Sequence, residues 1–388
     1  MSPPAPLAGL RVVEFTHMVM GPAAGAILAG LGAEVIRVEP PGGDQTRRLI
    51  GSGAGYFPMY NRHKASLCLD LKSPLGLEAA RRLAASADIL IENFRPGALD
   101  RLGLDYETLR ALNPRLIHCS LKGFLPGPYQ GRTALDEVAQ MMGGLAYMTG
   151  PPGRPLRAGA SVIDVTGGMF GVIAILAAVE ERHRTGKGQK VQAALFETTV
   201  YLVGQHMAQM AVTGAAAAPM PARISAWAVY DVFETRDDPV FIGVVTDALW
   251  EKFCALFGLD SLWADQGLRR NNDRVRARDR ILPEIRALIA GFTRAEVIAK
   301  LEGTGLPFAP ISRPEDLFDD PHLLASGGLE AVTLADGTTT LLPTLPIDLD
   351  GARPGTPAHL SEAGREGEAI LASLGFDDRE LEALTGAE

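Results

Sequence analysis

Cysteine is scarce in this 388-residue chain: Cys68, Cys119 and Cys254 stand far apart with no CxxC pair. That excludes a disulfide framework and a thiolate zinc site, and leaves the three thiols to act as small buried hydrophobes. Excess positive charge is missing as well. A formal net charge of -9 supplies no field to displace counterions from a phosphate backbone, so nucleic acid is not an expected partner, although a local basic patch for a small anion is compatible with it. Met1 to Leu10 is proline-rich and has neither the basic start nor the apolar run of a secretory signal, so the expectation is a cytoplasmic protein. The apolar stretch Met169 to Val179 is too short to span a bilayer and runs into Glu180-Glu181-Arg182, which marks a core helix and no membrane partner. No internal repeat is found.

What is present is a globular composition, 47% hydrophobic and 21% charged, in a chain long enough for two independent cores. Strand-like Leu10 to Phe15, helix-like Pro22 to Leu31 and strand-like Glu34 to Glu39 make a first strand, helix, strand unit. Similar units follow through Ser66 to Leu71, Pro74 to Ser86, Asp88 to Glu92, Tyr106 to Asn113 and Leu116 to Leu121. Strands apolar on both faces, alternating with helices, predict an α/β open parallel sheet of Rossmann-like kind. Dinucleotide binding does not follow, because Thr16-His17-Met18-Val19-Met20-Gly21-Pro22 after the first strand lacks GxGxxG. Ser161 to Asp164 reads as strand-like, Gly167 to Arg184 as a long helix, and Val191 to Ala194 as another strand. Residues 201–225 read as a linker, and 226–325 as a smaller inserted α+β domain. Residues 1–200 and 330–388 then form the large domain, built from both ends of the chain and closed by one helix.

Motif order adds a further reading. The segments Pro6 to Glu14, Gly21-Pro22, Leu31 to Pro40, Gly43-Asp44, Asn61 to Lys64, Leu69 to Lys72, Glu92 to Gly97, Leu102 to Leu104, Asn113 to Ile117 and Thr185 to Gln189 together resemble the family III CoA-transferases, the CaiB/BaiF family, over essentially the whole chain. The resemblance implies an enzyme that moves CoA from an acyl-CoA to a small carboxylic acid, and a homodimer of interlocked chains. It implies no permanently bound cofactor and no metal, with the CoA thioester as substrate.

Asp164 is the expected catalytic residue. Read from its setting alone, an Asp between strand and helix is a helix cap; Asp164-Val165-Thr166-Gly167-Gly168-Met169, however, sits where the family carries its nucleophilic aspartate. The amides of Gly167 and Gly168 are expected to stabilise an oxyanion, and Asp136 falls in an active-site segment. His17, Arg37, Leu71, Lys72, Asn93, Phe94 and Arg101 match positions that contact or line the CoA site in the resembling family. Racemases of the same family place a histidine just before the residue matching Asp136; here Leu135 stands there, which disfavours paired-base proton shuttling. No glycine run matches the closing loop of formyl-CoA transferases. The segment Arg223 to Phe233 looks closer to members acting on four- to six-carbon dicarboxylates, with Arg47, Arg62 and Arg157 as candidate cations for the second carboxylate. The readings carried forward are CoA transfer with succinyl-CoA as the expected donor, CoA-thioester racemisation, and non-catalytic CoA binding.

Overall fold

The computed structural model describes residues 3–223, 225–355 and 358–386. By backbone proximity the chain divides into two compact units, one of residues 1–221 with 321–388 and one of residues 222–320.

The larger unit is organised by six parallel strands: β1 (Arg11–Phe15), β2 (Glu34–Glu39), β3 (Ala65–Cys68), β4 (Ile89–Glu92), β5 (Ile117–Lys122) and β6 (Lys190–Ala194). Their order across the sheet is β3-β2-β1-β4-β5-β6. The direction of winding therefore reverses between β1 and β4, and at such a reversal the loops beyond the strand ends splay apart and open a crevice. The period of two explains why the strands are apolar on both faces. Val12, Val35, Ile89, Ile91, Ile117, Cys119 and Leu121 point to one core, while Val13, Ile36, Val38 and Leu90 point to a second.

The first core is covered by helix Met20–Gly30 and by the 24-residue helix Val162–Thr185. The second is covered by helix Pro74–Ala85 and by two closing helices, Gly367–Ser373 and Asp378–Thr385, through Leu371, Phe376 and Leu381. Only one closing helix is expected from the sequence; a turn at Leu374 and Gly375, with φ +83° at the glycine, breaks the segment into two. A second departure concerns the expected linker. Residues Leu195–Thr213 are a continuous helix ended by Gly214 at φ +69°, so the irregular stretch starts only there. The alanine run Ala215 to Ala218 just past Gly214 conceals this end, since alanine favours helix as much as its glycine and proline neighbours favour a loop.

The smaller unit contains an antiparallel sheet of Tyr230–Phe233, Val240–Gly243 and Phe308–Pro310, with Val240–Gly243 in the middle. Helices Asp247–Phe257 and Arg278–Ile289 close a core around Trp250, Phe253 and Ile285.

Candidate active site

The crevice beyond β1 and β4 is built from short-range constraints. Helix Met20–Gly30 follows β1 after a turn in which Met18 takes φ +62°, a left-handed value uncommon outside glycine. This residue occupies the turn where a glycine-rich loop is absent, and it lines the cavity below. Asn93, just past β4, clamps the turn: its Oδ1 accepts from the His17 amide at 3.0 Å, and its Nδ2 donates to the His17 carbonyl at 2.9 Å. Phe94 stacks on the His17 ring with centroids 5.6 Å apart. Lys122, at the end of β5, fixes the other side by donating to Glu92 at 2.6 Å and to the Phe94 carbonyl at 2.7 Å. Burial holds the His17 imidazole below its ordinary pKa, with Asp44 and Asn93 opposing and Arg37 adding.

These residues line a cavity of about 600 Å³ together with Met18, Tyr56, Arg95, Leu135, Asp136, Arg157 and Asp164. Its size suits a small-molecule site. At its inner wall stands the N-terminus of helix Val162–Thr185. The helix begins at Val162, so Asp164 lies in its first turn, and Ser161 to Asp164 is not a strand. Nor is Asp164 the cap. The capping carboxylate comes from another element: Asp136, buried in the helix Asp136–Met142, accepts from the amides of Ile163 at 2.9 Å and Asp164 at 3.1 Å. Its other oxygen accepts from Gln140 at 2.6 Å and pairs with Arg157 at 3.3 Å.

With the orphan amides of the first turn taken by Asp136, the Asp164 carboxylate accepts no hydrogen bond among the described residues and faces the cavity. Burial first, and then the neighbouring Asp136 charge, push its pKa up to about 7 against the opposition of Arg157. Tyr60 stands nearby. Burial, and then the charge of Asp164, raises its phenol, so it remains a neutral hydroxyl. A carboxylate with free lone pairs, partly desolvated and poised between its two protonation states at neutral pH, is equipped to attack an electrophilic carbonyl.

The residues expected to share this site do not all do so. His17, Asn93, Phe94, Asp136 and Asp164 come together in the cavity. Gly167 and Gly168 do not present their amides to it, because they lie beyond the first turn, where amides bond to carbonyls within the helix. They serve packing: a Cβ at Gly168 would stand 2.8 Å from the Met20 carbonyl oxygen, and one at Gly167 2.7 Å from Met20 Cε. Arg37 is 1% exposed and is enclosed by Glu14, Asp44, Thr16 and Asn61, so its charge is spent inside the fold and unavailable to a nucleotide. Leu71 packs against the second core. Lys72 and Arg101 are exposed cations beyond β3 and β4, on the same sheet edge as His17 but outside the cavity. Arg47 forks onto Glu39, and Arg62 pairs with Glu330 and the Pro343 carbonyl, so neither points a free charge at Asp164. Gln140, Tyr60 and Met18 join the site without a sequence motif to mark them; the four-residue spacing of Asp136 and Gln140 identifies a shared helix face without saying what it meets.

Among the described residues no group of three or more His, Cys, Asp or Glu is arranged to hold a metal ion. The chain is similar, over residues 7–360, to CoA-transferase family III. It is 34% identical to the succinate–glutarate CoA-transferase of Agrobacterium fabrum over 346 residues, covering 86% of each chain. It is 33% identical to the acetyl-CoA:oxalate CoA-transferase of Acetobacter aceti over 380 residues, covering 93% of this chain and 95% of that one. Among solved structures, a CaiB/BaiF family protein from Brucella suis superposes with a TM-score of 0.85 at 34% identity, covering 96% of this chain and all of the other.

Proposed function

This chain belongs to CoA-transferase family III and is an enzyme that transfers CoA from an acyl-CoA to a carboxylic acid, and from that premise we propose that Asp164 is its nucleophile and small dicarboxylic acids its substrates, with succinyl-CoA as donor. The observation that carries the proposal is the unbonded, partly desolvated Asp164 carboxylate facing a cavity while Asp136 takes the helix amides in its place. The relatives named above are enzymes of glutarate and oxalate, both dicarboxylic, which supports that substrate class.

The chemistry needs no external base. An Asp164 oxygen attacks the thioester carbonyl of the donor; the carbon–sulfur bond breaks, leaving an aspartyl-acyl anhydride and CoA thiolate. The thiolate attacks the aspartyl carbonyl and expels the donor carboxylate, which gives an aspartyl-CoA thioester. The acceptor carboxylate then attacks that thioester, re-forming an anhydride and thiolate, and thiolate attack on the acceptor's acyl carbon releases the new acyl-CoA and restores Asp164. Every step exchanges one activated acyl bond for another, so water must be kept out of the cleft. In this reading His17, Asn93 and Phe94 bind the CoA moiety, supported by their shared cavity with Asp164, and Lys72 and Arg101, exposed on the same sheet edge, meet its phosphates. Leu135, apolar and 62% exposed, has no proton to exchange, which favours transfer over racemisation.

The active form is proposed to be a homodimer with interlocked chains in the cytoplasm. Supporting the dimer, Met169, Ile173 and Leu176 are exposed on one side of helix Val162–Thr185, and Tyr201, Met207 and Met210 on helix Leu195–Thr213. An apolar surface of that extent normally meets a partner. The three cysteines are free thiols, as a reducing compartment requires.

Peptide mass spectrometry after incubation with succinyl-CoA and hydroxylamine trapping tests the nucleophile. A label on the Asp164 peptide, lost in Asp164→Ala together with CoA exchange into glutarate, is the expected result. Exchange that survives in the variant removes Asp164 from the role.

A further inference from the structure

The second carboxylate of a dicarboxylic substrate needs a cation in the same cavity as the nucleophile, and the structure reduces the choice among the arginines. Arg47 and Arg62 are consumed by Glu39 and Glu330. Lys122 is consumed by Glu92 and the Phe94 carbonyl. Arg37 is enclosed by Glu14 and Asp44. Arg132 lies over the Tyr129 ring, its guanidinium carbon 5.0 Å from the centroid.

Arg95 also lines the cavity, but it is exposed on the loop beyond β4 and no hydrogen bond or ion pair among the described residues orients it. Arg157 differs from all of these. Its Nε donates to the Ala158 carbonyl at 3.2 Å, and its Nη2 donates to the Ala160 carbonyl at 3.1 Å and lies 3.3 Å from Asp136 Oδ1. Those contacts fix the plane of the guanidinium on one side only. Nη1 has no protein partner among the described residues, and the side chain, 32% exposed, lines the cavity that holds Asp164. Arg157 and Asp164 stand on opposite sides of one carboxylate, Asp136, whose two oxygens reach the Arg157 guanidinium and the Asp164 amide. A rigid cation with two unused N–H donors, lining the same cavity as Asp164 and sharing Asp136 with its backbone amide, is a ready site for a second anionic group.

We propose that Arg157 is the specificity residue of this enzyme, binding through Nη1 the distal carboxylate of a dicarboxylic acyl group while the proximal carboxyl reacts at Asp164. The inference rests on the CoA-transfer reading. It commits to a short dicarboxylate: a monocarboxylate leaves Nη1 unpaired in a site from which water is excluded, and that loss sets the discrimination. A merely structural role, in which Arg157 only neutralises Asp136, would affect all acceptors alike.

The test compares glutarate with valerate, which have equal carbon counts, at one fixed donor so that donor effects cancel in the ratio. Initial rates are measured for wild type, Arg157→Gln and Arg157→Lys. The expected result is a clear wild-type preference for glutarate that falls about ten- to hundredfold in Arg157→Gln. The loss should lie mainly in the acceptor KM and be partly restored in Arg157→Lys. A wild type without preference for glutarate overturns the proposal, even if both variants fail to fold; so does a ratio unchanged in the variants, or an equal fall for both acceptors. Absence of any exchange and of any Asp164 adduct in wild type is a different result, and it removes the transfer reading and this inference together.

Discussion

At the scale of the residue, the setting of Asp164 makes activity dependent on pH with a definite sign. Only the ionised carboxylate attacks. With burial and Asp136 raising its pKa to about 7, kcat/KM for the donor should fall about tenfold per pH unit below that point and level off above it, as a pH–rate profile will read. The same shift has a stability cost. The folded state keeps the Asp164 proton up to about pH 7 while the unfolded chain releases it near the ordinary carboxylate value, so stability is full below about pH 4 and declines as pH rises through 7. Asp164→Asn abolishes this decline. Urea titrations should find the variant more stable than wild type by up to about 4 kcal/mol near pH 8 and no different near pH 4. A gain independent of pH would mean that the charge is not the cause. The cap reading of Asp164 failed at this scale for a simple reason: a helix's orphan amides are satisfied by any carboxylate the tertiary fold delivers, and here the fold delivers Asp136 from 28 positions upstream in the chain.

At the scale of the element, helix Val162–Thr185 carries the nucleophile, and its position depends on how closely it approaches helix Met20–Gly30. Gly167 and Gly168 make that approach. Gly168→Ala places a methyl 2.8 Å from the Met20 carbonyl oxygen and 3.2 Å from the Ala24 amide, both backbone atoms that cannot rotate aside. The helices must separate, so the variant should lose roughly 1–3 kcal/mol of stability. It should also lose transfer activity well beyond its loss of fold, since displacement of the nucleophile costs rate steeply. Calorimetry and initial rates on the same preparation check this; full activity in a destabilised variant would show that helix placement tolerates the shift. A glycine pair in a helix is a sequence signal that some surface comes close, but the sequence does not say which one. In this fold it is another helix and not the substrate.

At the scale of the whole molecule, helix Val162–Thr185 meets the length and hydropathy of a membrane span, yet its inward residues pack on β5 and helix Met20–Gly30. The outward side of the helix, with Ile173 58% exposed, is the side proposed to meet a second copy. Interlocked chains part only by unfolding, so Ile173→Glu, which leaves the monomer core untouched, should after refolding from urea give monomer in place of dimer by sedimentation at micromolar concentration. An unchanged dimer would place the interface elsewhere.

The sequence by itself determined the α/β alternation, because strands apolar on both faces have no stable home except a parallel sheet covered on both sides. It also determined the family, because ten separate motifs recur in order, and it singled out Asp164. It did not determine what each polar residue faces. Arg37 and Lys72 are both basic residues of family-like segments, yet one is enclosed by Glu14 and Asp44 while the other lies in solvent. That difference depends on which partners the fold brings up, Glu14 from a strand 23 positions back and Asp44 from the loop 7 positions on. Only the tertiary structure decided that Asp136 caps the helix, that Asp164 is left free, and that Arg157 keeps a donor pair open: each is a competition among charges for partners, and the fold alone settles which groups come within reach.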